Sequence, residues 1–212
     1  MKRRDFLSLG LAPLLLAGNA FAAQEQDKSM SRPARAGMFP NVPLITQNGE
    51  KVRFYDDCIR DKTVLLHFFL VECTDGLCPT AVSNLRKVQD LLGERMGKDI
   101  TFLSITLQPK KDTPAILKEY SDNFDIKPGW KFLTGKPADV EKLRQALGFV
   151  DSDPQRDKNL SNHVGMARYG NDRLERWGGV SLRSSPENIA STFRWLTQVR
   201  AKQAAPGPGA AC

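Results

Sequence analysis

Residues 63–71 read Thr63-Val64-Leu65-Leu66-His67-Phe68-Phe69-Leu70-Val71, an apolar run interrupted only by one histidine. β-Branched and aromatic residues at that density, over fewer positions than a helix needs, predict a buried strand. Residues 100–107 repeat the pattern and predict a second strand, and Trp130-Lys131-Phe132-Leu133 predicts a short third. Between these runs the apolar positions shift to helical spacing. Val82, Leu85, Val88, Leu91 and Leu92 predict a helix over residues 79–96, with Pro79 in the first turn, where its missing N–H costs nothing. Thr113-Pro114 starts another helix through Tyr120 and Phe124; a further one spans residues 138–147, and residues 186–200 form an amphipathic last one.

Two hairpins frame this alternation. Residues 42–47 and 51–55 flank Asn48-Gly49, a pair that tolerates positive φ and so predicts a tight turn. Residues 164–169 and 174–177 predict a second hairpin turning around Gly170-Asn171-Asp172. Strand, helix, strand, helix, then an antiparallel hairpin and a final helix predict an α/β chain with a thioredoxin-like fold: a central mixed sheet flanked by helices, opened by an N-terminal β-hairpin.

The ends divide the rest. Met1-Lys2-Arg3-Arg4-Asp5-Phe6-Leu7, the apolar stretch 6–17 and the small-residue site Ala20-Phe21-Ala22 read as an export signal of twin-arginine type, cleaved near Ala22, which makes the mature protein periplasmic. That apolar stretch is too short for the roughly 20 residues that span a bilayer, and no later segment is long enough. The expected organisation is an export signal over 1–22, a flexible linker over 23–38, one domain over 39–200 and a disordered Ala/Pro/Gly tail over 201–212. Loss of Lys2, Arg3, Arg4 and Asp5 lowers the formal charge from +7 to +5. The basic residues are scattered among acids, without an RNA-binding aromatic motif, so nucleic acid is not an expected partner. A basic surface does speed encounters with an acidic protein.

Chemistry concentrates at Cys73-Thr74-Asp75-Gly76-Leu77-Cys78-Pro79, where two thiols sit between the strand and the helix that follows. The positive end of a helix favours the thiolate, the form that attacks disulfides and binds soft metals. Outside the cytoplasm such a pair can also oxidise, although so small a loop would gain little stability from the bridge. His67, mid-strand, reads as a satisfied core histidine. Cys58, after Asp56-Asp57, reads as a small buried thiol, and Cys212 ends the tail.

Several segments in one order resemble the Sco/SenC family of thioredoxin-like copper-handling proteins, from about Phe39 to Arg200. They are the strand into Cys73 and Cys78-Pro79; residues 104–114 with Leu117 and Tyr120; Trp130 and Leu133-Thr134-Gly135; and His163 ahead of a strand and a glycine turn. The resemblance implies one copper ion, Cu(I) or Cu(II), held by Cys73, Cys78 and His163, and a role in assembling the copper centre of cytochrome c oxidase. It implies as partners a copper-receiving protein such as an oxidase subunit, and a thiol reductant. Two thiolates and an imidazole suit that metal. Cys73 and Cys78 would equally serve as a redox dithiol, so the alternative is a thiol-disulfide reductase acting on a partner's cysteines without carrying copper. The chain departs from the family's usual pattern in having four residues rather than three between the cysteines, and Asn162 and Gln108 where acids are common. A missing acid before His163 predicts a less firmly oriented imidazole.

Overall fold

The computed structural model describes residues 38–73 and 76–197, so the expected export signal, nearly all of the expected linker, the expected tail with Cys212, and Thr74 and Asp75 lie outside the described residues. Asn48-Gly49 closes the first hairpin as its composition predicts. Strand β1 (Pro43–Thr46) pairs antiparallel with β2 (Lys51–Arg53), and Gly49 takes φ 81° in the turn. The chain then makes a π-helical turn, Phe54–Ile59, that the hydrophobic pattern did not foreshadow. Asn41 organises it from outside: its side-chain oxygen accepts the Tyr55 and Asp56 N–H groups at 3.1 and 3.2 Å. Phe54, Tyr55, Cys58 and Ile59 are buried by that turn, and burial pushes the Cys58 thiol up to about 11.

The run at 63–71 becomes β3 (Thr63–Phe69), buried at every residue. Helix α1 (Leu77–Leu92) follows, then β4 (Ile100–Thr106), α2 (Pro114–Asn123), β5 (Trp130–Gly135), α3 (Pro137–Ala146), a single helical turn α4 (Pro154–Asp157), a 3-10 turn at Leu160–His163, β6 (Met166–Asn171), β7 (Arg176–Ser181) and α5 (Pro186–Thr197). The seven strands form one sheet in the order β2-β1-β5-β4-β3-β6-β7, with β3, β4 and β5 parallel and the remaining pairs antiparallel. This is the mixed sheet expected. Alternation along the strands sends residues to two faces. Leu65, His67 and Phe69 line up with Phe102, Ser104 and Thr106; on that face Phe193 of α5 meets Phe102 at 5.8 Å, and Tyr120 of α2 meets Phe69 at 5.5 Å. On the opposite face Phe68 meets Phe149, beyond α3, edge-on at 4.9 Å. α5 and α2 therefore cover one face of β3, and the segment just after α3 packs on the other.

The second hairpin differs from expectation in its register. Gly170 and Asn171 lie within β6 and pair with Trp177 and Arg176, while the turn runs through Asp172 to Glu175, which takes φ 55°. Gly170 is needed for a different reason than a turn: a Cβ there would fall 2.1 Å from Trp177 Cε3, so only a bare backbone lets the indole lie across the strand. α1 begins two residues earlier than predicted and ends at Leu92, which puts Cys78 inside the helix's first turn and Pro79 third. The turns at 154–157 and 160–163 have no apolar periodicity to announce them. Their buried member is His163.

His67 is the core histidine its position predicts, and it is fully satisfied. Nδ1 lies 3.2 Å from the Phe68 carbonyl and Nε2 2.7 Å from Ser104 Oγ, which also takes the Trp130 Nε1–H at 2.8 Å. A carbonyl only accepts and an indole only donates, so the proton is on Nδ1 and the serine hydroxyl donates to Nε2. Burial lowers this imidazole to about 4 from 6.5, because a charged ring here would leave water without a counter-ion.

Two predictions follow from this packing. His67 binds a proton in the unfolded chain below about pH 6.5 but in the folded chain only near 4, so stability contributed by the neutral ring is whole above 6.5 and is lost as pH falls toward 4, reaching about 3 kcal/mol. Urea titrations from pH 7 to 4 should show that slope in the wild type and a shallower one in His67→Gln, which keeps an acceptor but does not titrate. Gly170→Ala should cost about 1–3 kcal/mol by overpacking against Trp177, read as a lower urea midpoint with unchanged m.

Candidate metal centre

β3 delivers the chain to one end of the sheet, and the cysteine loop starts there. Gly76, in the left-handed region at φ 71°, turns the backbone into α1, so that the Cys78 N–H projects back from the first helical turn. It donates to Cys73 Sγ at 3.2 Å. Cys78 Sγ in turn accepts the Leu70 N–H at 3.3 Å. Both sulfurs are thus oriented by backbone donors, one from the strand's exit and one from the helix's entry. The two cysteines stand as thiols and differ in access: Cys78 is 1% exposed, whereas Cys73 is partly open to solvent.

The loop after β4 braces this segment. Asp112 is not the exposed loop acid its surroundings in sequence imply; it is 2% exposed, bonded by the Thr106 hydroxyl and by the Val71 N–H just before the cysteines. Burial pushes its carboxyl up. Beside it, Lys111 Nζ reaches Glu72 at 2.8 Å, an exposed pair worth little in energy but placed next to Cys73. Gln108, where an acid is common in the family, keeps its backbone N–H on Thr106 Oγ1 at 2.9 Å.

In the sequence Tyr120 reads as a helix position and as part of the family resemblance, with no indication of its surroundings. Its ring packs against Phe69, Phe124 and Phe132, and its hydroxyl is buried with no hydrogen-bond partner among the described residues. Burial first, then the negative charge available to Cys78 and Cys73, pushes its ionisation above the ordinary range. An O–H donor without an acceptor therefore sits in the neighbourhood of the two sulfurs, a placement that only the packing of α2 on the end of β3 produces.

His163 ends the 3-10 turn, whose first residue follows the Asn159 cap. β6 enters the sheet beside the exit of β3, with Ala167 paired to His67, so His163 and the cysteines belong to the same end of the sheet. The ring does not meet the sulfurs. It is 5% exposed, and its Nε2 is turned toward the Asp157 carbonyl at 2.9 Å and Arg144 Nη1 at 3.2 Å. Among the described residues no three His, Cys, Asp or Glu side chains are gathered closely enough to enclose a metal ion. A groove of about 390 Å³ lies beside the histidine, lined by Phe149, Asn162, Met166 and Arg168 among others. Asn162 turns its amide to the Arg156 carbonyl at 2.7 Å.

Comparison with known proteins gives this arrangement its context. The SCO1/SenC family model matches residues 34–177. A protein of Stutzerimonas stutzeri described as copper-binding is 30% identical over 175 residues, covering 80% of this chain and 83% of that protein. Among solved structures, Bradyrhizobium japonicum ScoI with copper bound superposes with a TM-score of 0.57 at 24% identity, covering 73% of this chain and 96% of the other. BsSco, described as carrying a disulfide switch and as a member of the Sco family of cytochrome c oxidase assembly proteins, gives 0.56 at 17% identity, over 73% and 90%. At those identities the two structures establish the fold, which is thioredoxin-like. The family match extends from before the first hairpin to the middle of the second, across both cysteines and the histidine, and it shows that this chain belongs to the SCO1/SenC family.

Proposed function

We propose that this chain is a copper-binding protein of the Sco type, exported to the periplasm, which holds one copper ion on Cys73, Cys78 and His163 and passes it to a copper-receiving protein such as an oxidase subunit. The observation that carries the reading is the pair of backbone-oriented sulfurs at the sheet end where His163 also enters. Two thiolates with one imidazole form a soft, low-coordinate donor set that suits Cu(I) and tolerates Cu(II). Family membership and the copper-binding description of the Stutzerimonas relative support it. Copper is cargo in this reading. Cys78 supplies a buried donor and Cys73 an accessible one, so a recipient's ligand can approach from the Cys73 side while the metal is still held on the other. No helix among the described residues is long and apolar enough to cross a membrane.

A second reading has its own support. The asymmetry between an accessible Cys73 and a buried Cys78 is that of an attacking and a resolving thiol: Cys73 attacks a partner disulfide, and Cys78 then displaces the partner to leave the Cys73–Cys78 bridge and a reduced dithiol. The disulfide switch described for BsSco is consistent with such chemistry on this fold.

The two readings separate by experiment. In competition with a Cu(I) chelator, the mature protein should bind one equivalent, Cys73→Ser or Cys78→Ser should abolish the site, and His163→Ala should weaken it by at least about tenfold, the scale that loss of even an outer hydrogen-bond partner produces. Copper affinity unchanged in His163→Ala would remove the histidine from the ligand set. In a Cys212→Ser background, short alkylation pulses at pH ~8 read by mass spectrometry should label Cys73 ahead of Cys78 and leave Cys58 unlabelled, since burial and a thiol near 11 keep Cys58 protonated. Early labelling of Cys78 would overturn the assignment of Cys73 as nucleophile.

A further inference from the structure

Arg144 carries five N–H donors, and the structure accounts for every one. Nε–H meets Glu141 Oε2 at 2.9 Å. The two Nη2 protons go to Glu141 Oε1 and Asp157 Oδ2, both at 2.8 Å, and the two on Nη1 go to the Phe149 carbonyl at 2.7 Å and Asp157 Oδ1 at 2.8 Å. His163 Nε2 lies 3.2 Å from that same Nη1. No proton remains on Nη1 for the imidazole to accept. The other neighbour of Nε2 is the Asp157 carbonyl at 2.9 Å, which can only accept, and the Asp157 carboxylate is farther, at 3.5 Å. Nε2 must therefore carry the ring's proton and donate it to the carbonyl. The lone pair then falls on Nδ1, to which no described residue makes a hydrogen bond.

The clamp itself is well held. Arg144 is 4% exposed, fixed between α3 and α4, and Asp157 Oδ1 also takes the Asp151 N–H at 2.8 Å. The position just before the histidine is Asn162, whose amide is engaged with the Arg156 carbonyl. Asp157, six residues upstream, holds the backbone oxygen that the ring donates to and the carboxylate that occupies the arginine.

We infer that the Glu141–Arg144–Asp157 clamp holds His163 as its Nε2–H tautomer and so presents Nδ1 as the nitrogen that binds metal, with Arg144 and Asp157 acting as positioning residues. The metal half of this inference rests on the reading of His163 as a copper ligand; the tautomer half does not. Fixing the second ring nitrogen by a carbonyl is what keeps a ligating imidazole in one orientation and raises its donor strength.

The test is a long-range 1H–15N correlation spectrum of the 15N-labelled, copper-free chain at pH ~8, above the ordinary imidazole range of about 6.5. The chain has two histidines, and His67 provides the internal contrast because its proton is on Nδ1. Two opposite tautomer patterns are expected, and an Nδ1–H or averaged pattern for His163 would overturn the inference. Asp157→Ala removes both carboxylate oxygens and so frees an N–H on Arg144 Nη1, 3.2 Å from Nε2, while keeping the backbone carbonyl; it should shift His163 toward the Nδ1–H form and weaken Cu(I) binding about tenfold. A folded Asp157→Ala, judged by near-UV circular dichroism, that keeps both the tautomer and the copper affinity of the wild type would overturn the clamp's role. If that variant does not fold, the wild-type spectrum decides the tautomer without it. His163→Ala with unchanged copper affinity would instead sink the ligand reading and leave the spectrum standing, so the two failures are told apart.

Discussion

Strand β3 is hydrogen-bonded on both edges and buried on both faces, parallel to β4 on one side and antiparallel to β6 on the other. A strand so enclosed has one register, because a slip by a single residue would exchange Leu65, His67 and Phe69 with Leu66 and Phe68 across the sheet and strand the histidine among apolar side chains. The position where β3 ends is fixed in consequence, and the site depends on that end. Leu70 N–H reaches Cys78 Sγ because β3 stops at Phe69, and His163 arrives beside the same edge because β6 pairs backward from His67.

The two histidines illustrate how the same side chain is used in opposite ways within one fold. His67 has both nitrogens engaged, one by a carbonyl and one by Ser104, and nothing remains for a ligand. It belongs to the core, where a polar ring is tolerable only when both nitrogens are satisfied. His163 has one nitrogen engaged, and that one faces a neighbour whose own donors are all occupied. Burial restrains both rings. What separates the two rings is the number of nitrogens the protein itself uses, two in His67 and one in His163.

Much of the architecture was legible because its signals are local. The apolar run of β3, the helical spacing of α1 and the Asn48-Gly49 turn each state their conformation within a few residues, and the structure follows them. Gly170 was misread as a turn residue, since a glycine in a turn and one beneath an indole look identical in sequence; Trp177 lies across the strand pair and only the register of β6 and β7 brings it there. Asp112 sits in a polar loop in sequence, and its burial is invisible there because its partners, Thr106 and the Val71 N–H, come from two neighbouring strands' ends. Asn162 reads as the loss of a carboxylate beside His163, whereas Arg144 from α3 and Asp157 from a one-turn helix that no periodicity announces occupy that surrounding.

The amino-acid sequence by itself determined the order of strands and helices, the pairing of Cys73 and Cys78 at a strand-to-helix junction, and the likeness to Sco/SenC proteins, because each of these is carried by residues close together or by motifs in a set order. The tertiary structure alone decided which sulfur is buried, which nitrogen of each histidine holds the proton, and that His163 faces Arg144 and Asp157 rather than the cysteines. Those outcomes turn on contacts between segments far apart in the chain, where hydrogen-bond donors and acceptors must be matched one against one once water is excluded.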